Sequence, residues 1–145
     1  MAKTFQHVFV PIDFSEPSAR ALNDAIDWGR QLNARLTLLH VIQSLSDVGI
    51  DMAPALTAQH LETLEAELTQ QMQNYLKRIE DAGVEDDLII GHGAPFYETI
   101  EVVKDRHIDL IIMGSHGRTG LSHLLLASMA EKLVRLAPCP VLVVR

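Results

Sequence analysis

The chain alternates short, almost wholly apolar runs with longer segments of helical periodicity, and few architectures accept that alternation. "HVFVPID", His7 to Asp13, is rich in β-branched and apolar residues and reads as a strand ending near Pro11. "FSEPSARALNDAIDWGRQL" follows as a helix, with Ser15 as N-cap, Pro17 in the first turn, and Ala21, Leu22, Ala25, Ile26 and Gly29 on one face. "ARLTLLHVI", Ala34 to Ile42, is a second strand, apolar at nearly every position. Strands buried on both faces look like this, and parallel sheets demand it. After a long irregular connection, Gln43 to Leu56, Thr57 is placed to cap a helix whose Leu61, Leu64, Leu68, Met72, Tyr75 and Ile79 recur every three or four residues. Gly83 suits the residue just past its end. "DDLIIGHG", "PFYETIEVVKDRHI", "DLIIMG", "ASMAEKLVRLA" and "CPVLVVR" then read as strand, helix, strand, helix and strand. Ser128 and Glu131 have the spacing of a capping box at the start of the last helix. Repeated strand–helix units with continuously apolar strands predict an α/β domain around a parallel sheet. The 145 residues suit one such domain, spanning residues 1–145.

In open α/β sheets a ligand binds beyond the carboxyl ends of the strands, where the strand order reverses. Two common orders put that reversal beside strand 1, between strands 1 and 4 or between strands 1 and 3. Three glycines, Gly114, Gly117 and Gly120, fall within seven residues directly after strand 4. If the order is 3-2-1-4-5, this loop faces Pro11, Ile12 and Asp13 across the crevice. Glycine lacks Cβ, so its N–H can approach a phosphate oxygen without a clash. The first turn of the following helix offers unpaired N–H groups and the positive end of its dipole. Ser128 adds a hydroxyl, Arg118 a cation, and Val41 a wall for an adenine ring. Asp13 is able to accept hydrogen bonds from ribose hydroxyls or to help hold a magnesium ion. The plainer alternative is that the glycines make a tight turn, Asp13 caps the first helix and Ser128 caps the last.

The run "GSHGRTGLSHLLLASMAEKL" resembles the signature of the universal stress protein family, which is Gly, two residues, Gly, nine residues, Gly, then Ser or Thr. Gly114 and Gly117 match its first half and Ser128 its last position. "VFVPIDFSEPSARAL" is similar to the family's opening strand and helix, and "APCPVLVVR" to its closing strand, so the resemblance covers the whole chain. It implies a three-layer α/β sandwich with a five-stranded parallel sheet in the order 3-2-1-4-5, of the adenine nucleotide alpha hydrolase-like type. It also implies a homodimer, commonly through the C-terminal strand, Pro140 to Arg145, and ATP binding, with or without magnesium, in the subclass that keeps the glycine pattern. Carried over by position, Pro11, Ile12 and Asp13 lie by the base and ribose, and Val41 by adenine. Met113, Gly114, Ser115, His116, Gly117, Arg118, Ala127, Ser128 and Met129 surround the ribose and phosphates. One position departs: Ala127 stands where the pattern has its third glycine. At negative φ the alanine only adds a methyl, whereas at positive φ it is strained by roughly 1–2 kcal/mol. Weakened rather than abolished binding is expected, and a dimeric interaction module that has lost nucleotide binding is the alternative reading.

Other chemistries find little support. The net charge of −7, with Lys and Arg scattered, disfavours nucleic-acid binding. No apolar run nears the roughly 20 residues that span a bilayer. The start lacks a signal peptide's apolar segment, and the single Cys139 cannot form an internal disulfide, so a cytoplasmic protein is expected. Gly91 and Gly93 follow a strand, but Phe96 stands where a dinucleotide fingerprint needs its third glycine. The chain contains no Walker-type lysine loop and no nucleophile elbow. None of the seven histidines forms a His-x-x-x-His pair, so no metal site is expected. A phospho-acceptor receiver would need an acidic cluster after strand 1 and a lysine after strand 5. No residue is placed to position an attacking water, so any ATP hydrolysis should be slow and the protein is not expected to be an enzyme. The sequence names no regulatory protein partner.

Overall fold

A computed structural model of the chain describes residues 4–43, 58–115 and 121–145, with the side chains at 58, 60, 61 and 121–128 outside that description. The elements run β1 (His7–Pro11), α1 (Glu16–Leu32), β2 (Arg35–Ile42), α2 (Ala58–Asp81), β3 (Asp86–His92), α3 (Pro95–Asp105), β4 (Leu110–Gly114), α4 (Leu121–Leu136) and β5 (Val141–Val144). The strands form one parallel sheet in the order β3-β2-β1-β4-β5, as the resemblance implied. Chain direction reverses its progress across the sheet between β1 and β4, whose register pairs Val8 with Leu110 and Phe9 with Ile111.

The continuous apolar runs have two destinations because successive side chains point to opposite faces. Val8, Val10, Leu36, Leu38, Leu110 and Ile112 pack with Ala21, Leu22 and Ile26 of α1 and with Met72 and Ile79 of α2. Phe9, Leu39, Ile111 and Met113 pack with Val103 of α3 and with Met129 and Leu133 of α4. Each fully buried Leu, Ile or Phe contributes about 1.5–3 kcal/mol, so the two apolar layers supply the driving force for the sandwich.

Local signals set the ends of α1. Ser15 is its N-cap and accepts from Ser18 N–H through Oγ at 3.3 Å, and Pro17 occupies the first turn. The helix closes at Asn33 in the left-handed conformation. Helix α2 ends at Asp81, and Gly83, with φ +76°, carries the chain away as expected. Its amphipathic face is split. Met72 and Ile79 are fully buried, whereas Leu64 is 46% exposed, because the first half of the helix overhangs the ends of the strands. Thr57 and the connection from residue 44 onward lie outside the described residues.

The last helix corrects an expectation. It begins at Leu121, so Ser128 lies inside it and is not its N-cap, and Ser128 with Glu131 is not a capping box. "LSHLLL" contains neither Gly nor Pro and is two-thirds leucine, so nothing in it stops the helix from extending toward the N-terminus. The backbone amides at Ala127 and Ser128 therefore fall within the helix, and its free first-turn amides lie near Leu121.

At the opposite end of the sheet, His7 is wedged between two polar partners. Its Nδ1 donates to the Arg106 carbonyl at 3.0 Å, which leaves Nε2 to accept from Thr37 Oγ at 2.7 Å. Burial pushes the His7 pKa below 6.5, partly opposed by the Arg106 hydrogen bond and reinforced by the Arg35 charge. As pH falls, the unfolded chain therefore takes up this proton before the folded one. The stabilisation is complete above 6.5 and is lost as pH drops below that value toward the folded pKa. The thermal midpoint should fall between pH about 7.5 and about 5.5, and His7→Gln should shrink that fall. An equal fall in both proteins would assign the dependence to other groups.

Candidate functional site

The β1–α1 turn is clamped from several sides. Ile12 N–H continues the sheet by donating to the Leu39 carbonyl at 2.8 Å, and His40 Nδ1 donates to the Ile12 carbonyl at 2.7 Å. Phe14 adopts φ 62°, unusual for a residue with a Cβ, and its ring rests on His40 at 4.8 Å and Tyr75 at 5.6 Å. These contacts fix Asp13 between them. Its Oδ1 accepts from Ser15 N–H at 3.0 Å and from Ser15 Oγ at 2.5 Å, while its own N–H donates to Ser18 Oγ at 3.3 Å. Asp13 Oδ2 is buried and has no hydrogen-bond partner among the described residues. A buried carboxylate oxygen without a donor is a costly arrangement that a ligand donor or a cation relieves.

Asp13 borders a cavity of about 490 Å³ beyond the carboxyl ends of β1, β2 and β4. The cavity brings together seven of the residues singled out in the sequence: Pro11, Ile12, Asp13, Val41, Met113, Gly114 and Met129. Ser115 is not in its wall, and its N–H donates to the Val144 carbonyl at 2.9 Å. His116, Gly117 and Arg118 lie outside the described residues, as do the side chains of Ala127 and Ser128. Gly114 has a packing reason of its own. A Cβ there would lie 2.8–2.9 Å from the Pro17 backbone and Cβ, so the end of β4 and the start of α1 touch because this residue has no side chain.

The rest of the wall was not foreseen. Leu64 and Leu68 come from the overhanging half of α2, and Phe96, Tyr97 and Thr99 from the first turns of α3. His40 and Lys132 also line it. Phe96 has a signal in hindsight, since it lies at the start of a helix that leaves the carboxyl end of a strand. Thr99 and Lys132 have none, because only the packing of α3 and α4 brings them to β2 and β4. Thr99 is fully buried, and its hydroxyl has no hydrogen-bond partner among the described residues. Thr99→Val keeps the shape and removes the orphaned hydroxyl, so it should stabilise the protein by about 1 kcal/mol, read as a higher urea midpoint. A lower midpoint would mean that the hydroxyl is bonded in solution.

Mostly apolar walls with a few fixed polar groups suit an organic ligand with a flat apolar part and a polar tail. Among the described lining residues Asp13 is the one carboxylate, and the described residues contain no group of three metal-ligating side chains.

The sequence matches the universal stress protein family over residues 4–145. The chain belongs to that family. Universal stress protein YxiE of Bacillus subtilis is 31% identical over 97% of the chain and 99% of its own length. The solved structure of MJ0577, a universal stress protein of Methanocaldococcus jannaschii, superposes with a TM-score of 0.81 at 32% identity, covering 98% of this chain and 96% of that one. A universal stress protein solved in complex with cAMP superposes with a TM-score of 0.71 at 22% identity, covering 99% of this chain and 98% of that one, which shows a shared fold. Among the described residues of this universal stress protein, no helix is long and apolar enough to cross a membrane.

Proposed function

We propose that the protein is a nucleotide-binding universal stress protein that takes ATP and acts in the cytoplasm as a dimeric regulatory module of the stress response, not as an enzyme. The observation that carries this reading is the mostly apolar cavity at the β1–β4 switch point, bordered by Asp13, whose buried Oδ2 has no hydrogen-bond partner among the described residues. Adenine would lie between Val41 and Met113, and Asp13 would take the ribose hydroxyls. A magnesium ion is compatible with this wall, since Mg²⁺ is held by one or two carboxylates together with ligand phosphates and water. Pro11, Ile12, Gly114, His116, Gly117, Arg118, Ala127, Ser128 and Met129 complete the proposed site, with the Ala127 methyl weakening binding. The cAMP complex of a relative of the same fold supports a nucleotide as the ligand class. Strand β5 is an edge of the sheet, and Val134 and Leu136 on the preceding helix are 60% and 65% exposed. Pairing the Pro140 to Arg145 segment with its twin would cover that edge.

A second reading is a dimeric interaction module without nucleotide. It is favoured by the position of Ala127 and Ser128 inside α4, where their amides serve the helix, and by the Ser115 amide bonded to Val144. Mass spectrometry of nucleotide released from the purified protein, followed by calorimetric titration with ATP, separates the two. Retained or titratable nucleotide supports the first. A dimer with neither supports the second, and a monomer at every concentration in light scattering rejects the dimer in both.

A further inference from the structure

The net charge is −7 and Asp13 borders the cavity, so a phosphate-bearing ligand needs a local cation to offset like-charge repulsion. Among the described lining residues, one Lys or Arg is present, Lys132. It follows Ser128 by four positions on α4, so the two share one helix face, and Met129, on the adjoining ridge, also lines the cavity. The Lys132 ammonium lies 5.7 Å from the centroid of the Phe96 ring, which draws the side chain across toward α3. Glu131 approaches Arg135 at 3.8 Å, and Glu98 turns its carboxylate onto Gly91, where a Cβ would come within 3.0 Å of it. Among the described residues no carboxylate forms an ion pair with Lys132.

We propose that Lys132 is a specificity-determining residue: its ammonium pairs with the phosphates of the bound nucleotide and sets a preference for phosphorylated over unphosphorylated adenosine ligands. The inference rests on the nucleotide reading above. Lysine suits the task because its charge is a compact point on a flexible stem and can follow a phosphate chain without a fixed docking geometry. The Phe96 ring is a weak resting partner that an incoming phosphate displaces. The position lies outside the family's glycine pattern and offers the tail a positive charge where Ala127 replaces a glycine.

Calorimetric titration of ATP and of adenosine into wild type, Lys132→Gln and Lys132→Arg tests this. In Lys132→Gln, ATP affinity should fall about three- to tenfold. Adenosine affinity should change by less than about twofold, and added salt should weaken ATP binding more in wild type than in the variant. Lys132→Arg should keep the ATP affinity. The position is exposed and glutamine is as good a helix former as lysine, so folding is not at issue. Unchanged ATP affinity in Lys132→Gln would overturn the proposal and leave the nucleotide reading standing. Equal losses for ATP and adenosine would overturn it too, by assigning Lys132 a packing role beside Phe96. Wild type that binds neither ligand would remove the nucleotide reading and this inference together.

Discussion

Gly114→Ala is expected to lower the thermal midpoint by roughly 3–10 °C. The new Cβ would stand 2.8 Å from the Pro17 carbonyl carbon and 2.9 Å from its oxygen. Both are backbone atoms in the first turn of α1, so no side chain can swing aside. Relief requires moving the start of α1 off the end of β4, at about 1–3 kcal/mol for an overpacked site. The same movement would shift Ser15, which holds Asp13 through two hydrogen bonds, so ligand affinity should fall along with stability. Differential scanning calorimetry reads the first effect and titration with ATP the second. A midpoint within about 1 °C of wild type would show that the contact with Pro17 is looser than the structure has it.

Asp13→Ala is expected to weaken ATP binding about ten- to a hundredfold, the loss of one or two hydrogen bonds to a charged group. Oδ1 is already engaged with Ser15, so the variant should also lose about 1 kcal/mol of stability, measurable by urea titration. Asp13→Asn separates the two roles. It keeps an acceptor for Ser15 while placing an amide where the unpaired oxygen stands. If Asp13 serves ribose hydroxyls, the asparagine variant should retain part of the affinity. If it serves magnesium, affinity in the presence of the ion should fall as far as in the alanine variant. Were Asp13 merely a buried negative charge beside a polyanion, its removal would tighten ATP binding, and that result would reject its assignment to the site.

Most of the fold was legible because its determinants are local. Alternating apolar runs and helical periodicities act through near neighbours: Ala21, Leu22, Ala25, Ile26 and Gly29 face the sheet as their spacing requires. Ser15, Pro17 and Gly83 mark helix ends through their own backbone chemistry. The end of α4 facing the loop was misread, because a serine three residues before a glutamate signals a cap only if the helix has not already started. "LSHLLL" started it earlier.

The candidate site was half legible for a related reason. Pro11, Ile12, Asp13, Val41, Met113 and Gly114 lie at carboxyl ends of strands, so once strand order is known their meeting follows from the chain path. Thr99 and Lys132 lie partway along helices, where local pattern specifies a face but not what that face meets. The amino-acid sequence alone determined the elements, the parallel sheet and the end of it that carries the crevice. Tertiary structure alone decided that α2 overhangs the crevice, that α3 and α4 close its wall, and that Gly114 is a contact for Pro17. Periodicity records how each segment divides itself between core and solvent, whereas the pairing of remote segments depends on the strand order and on shape complementarity across the whole sandwich.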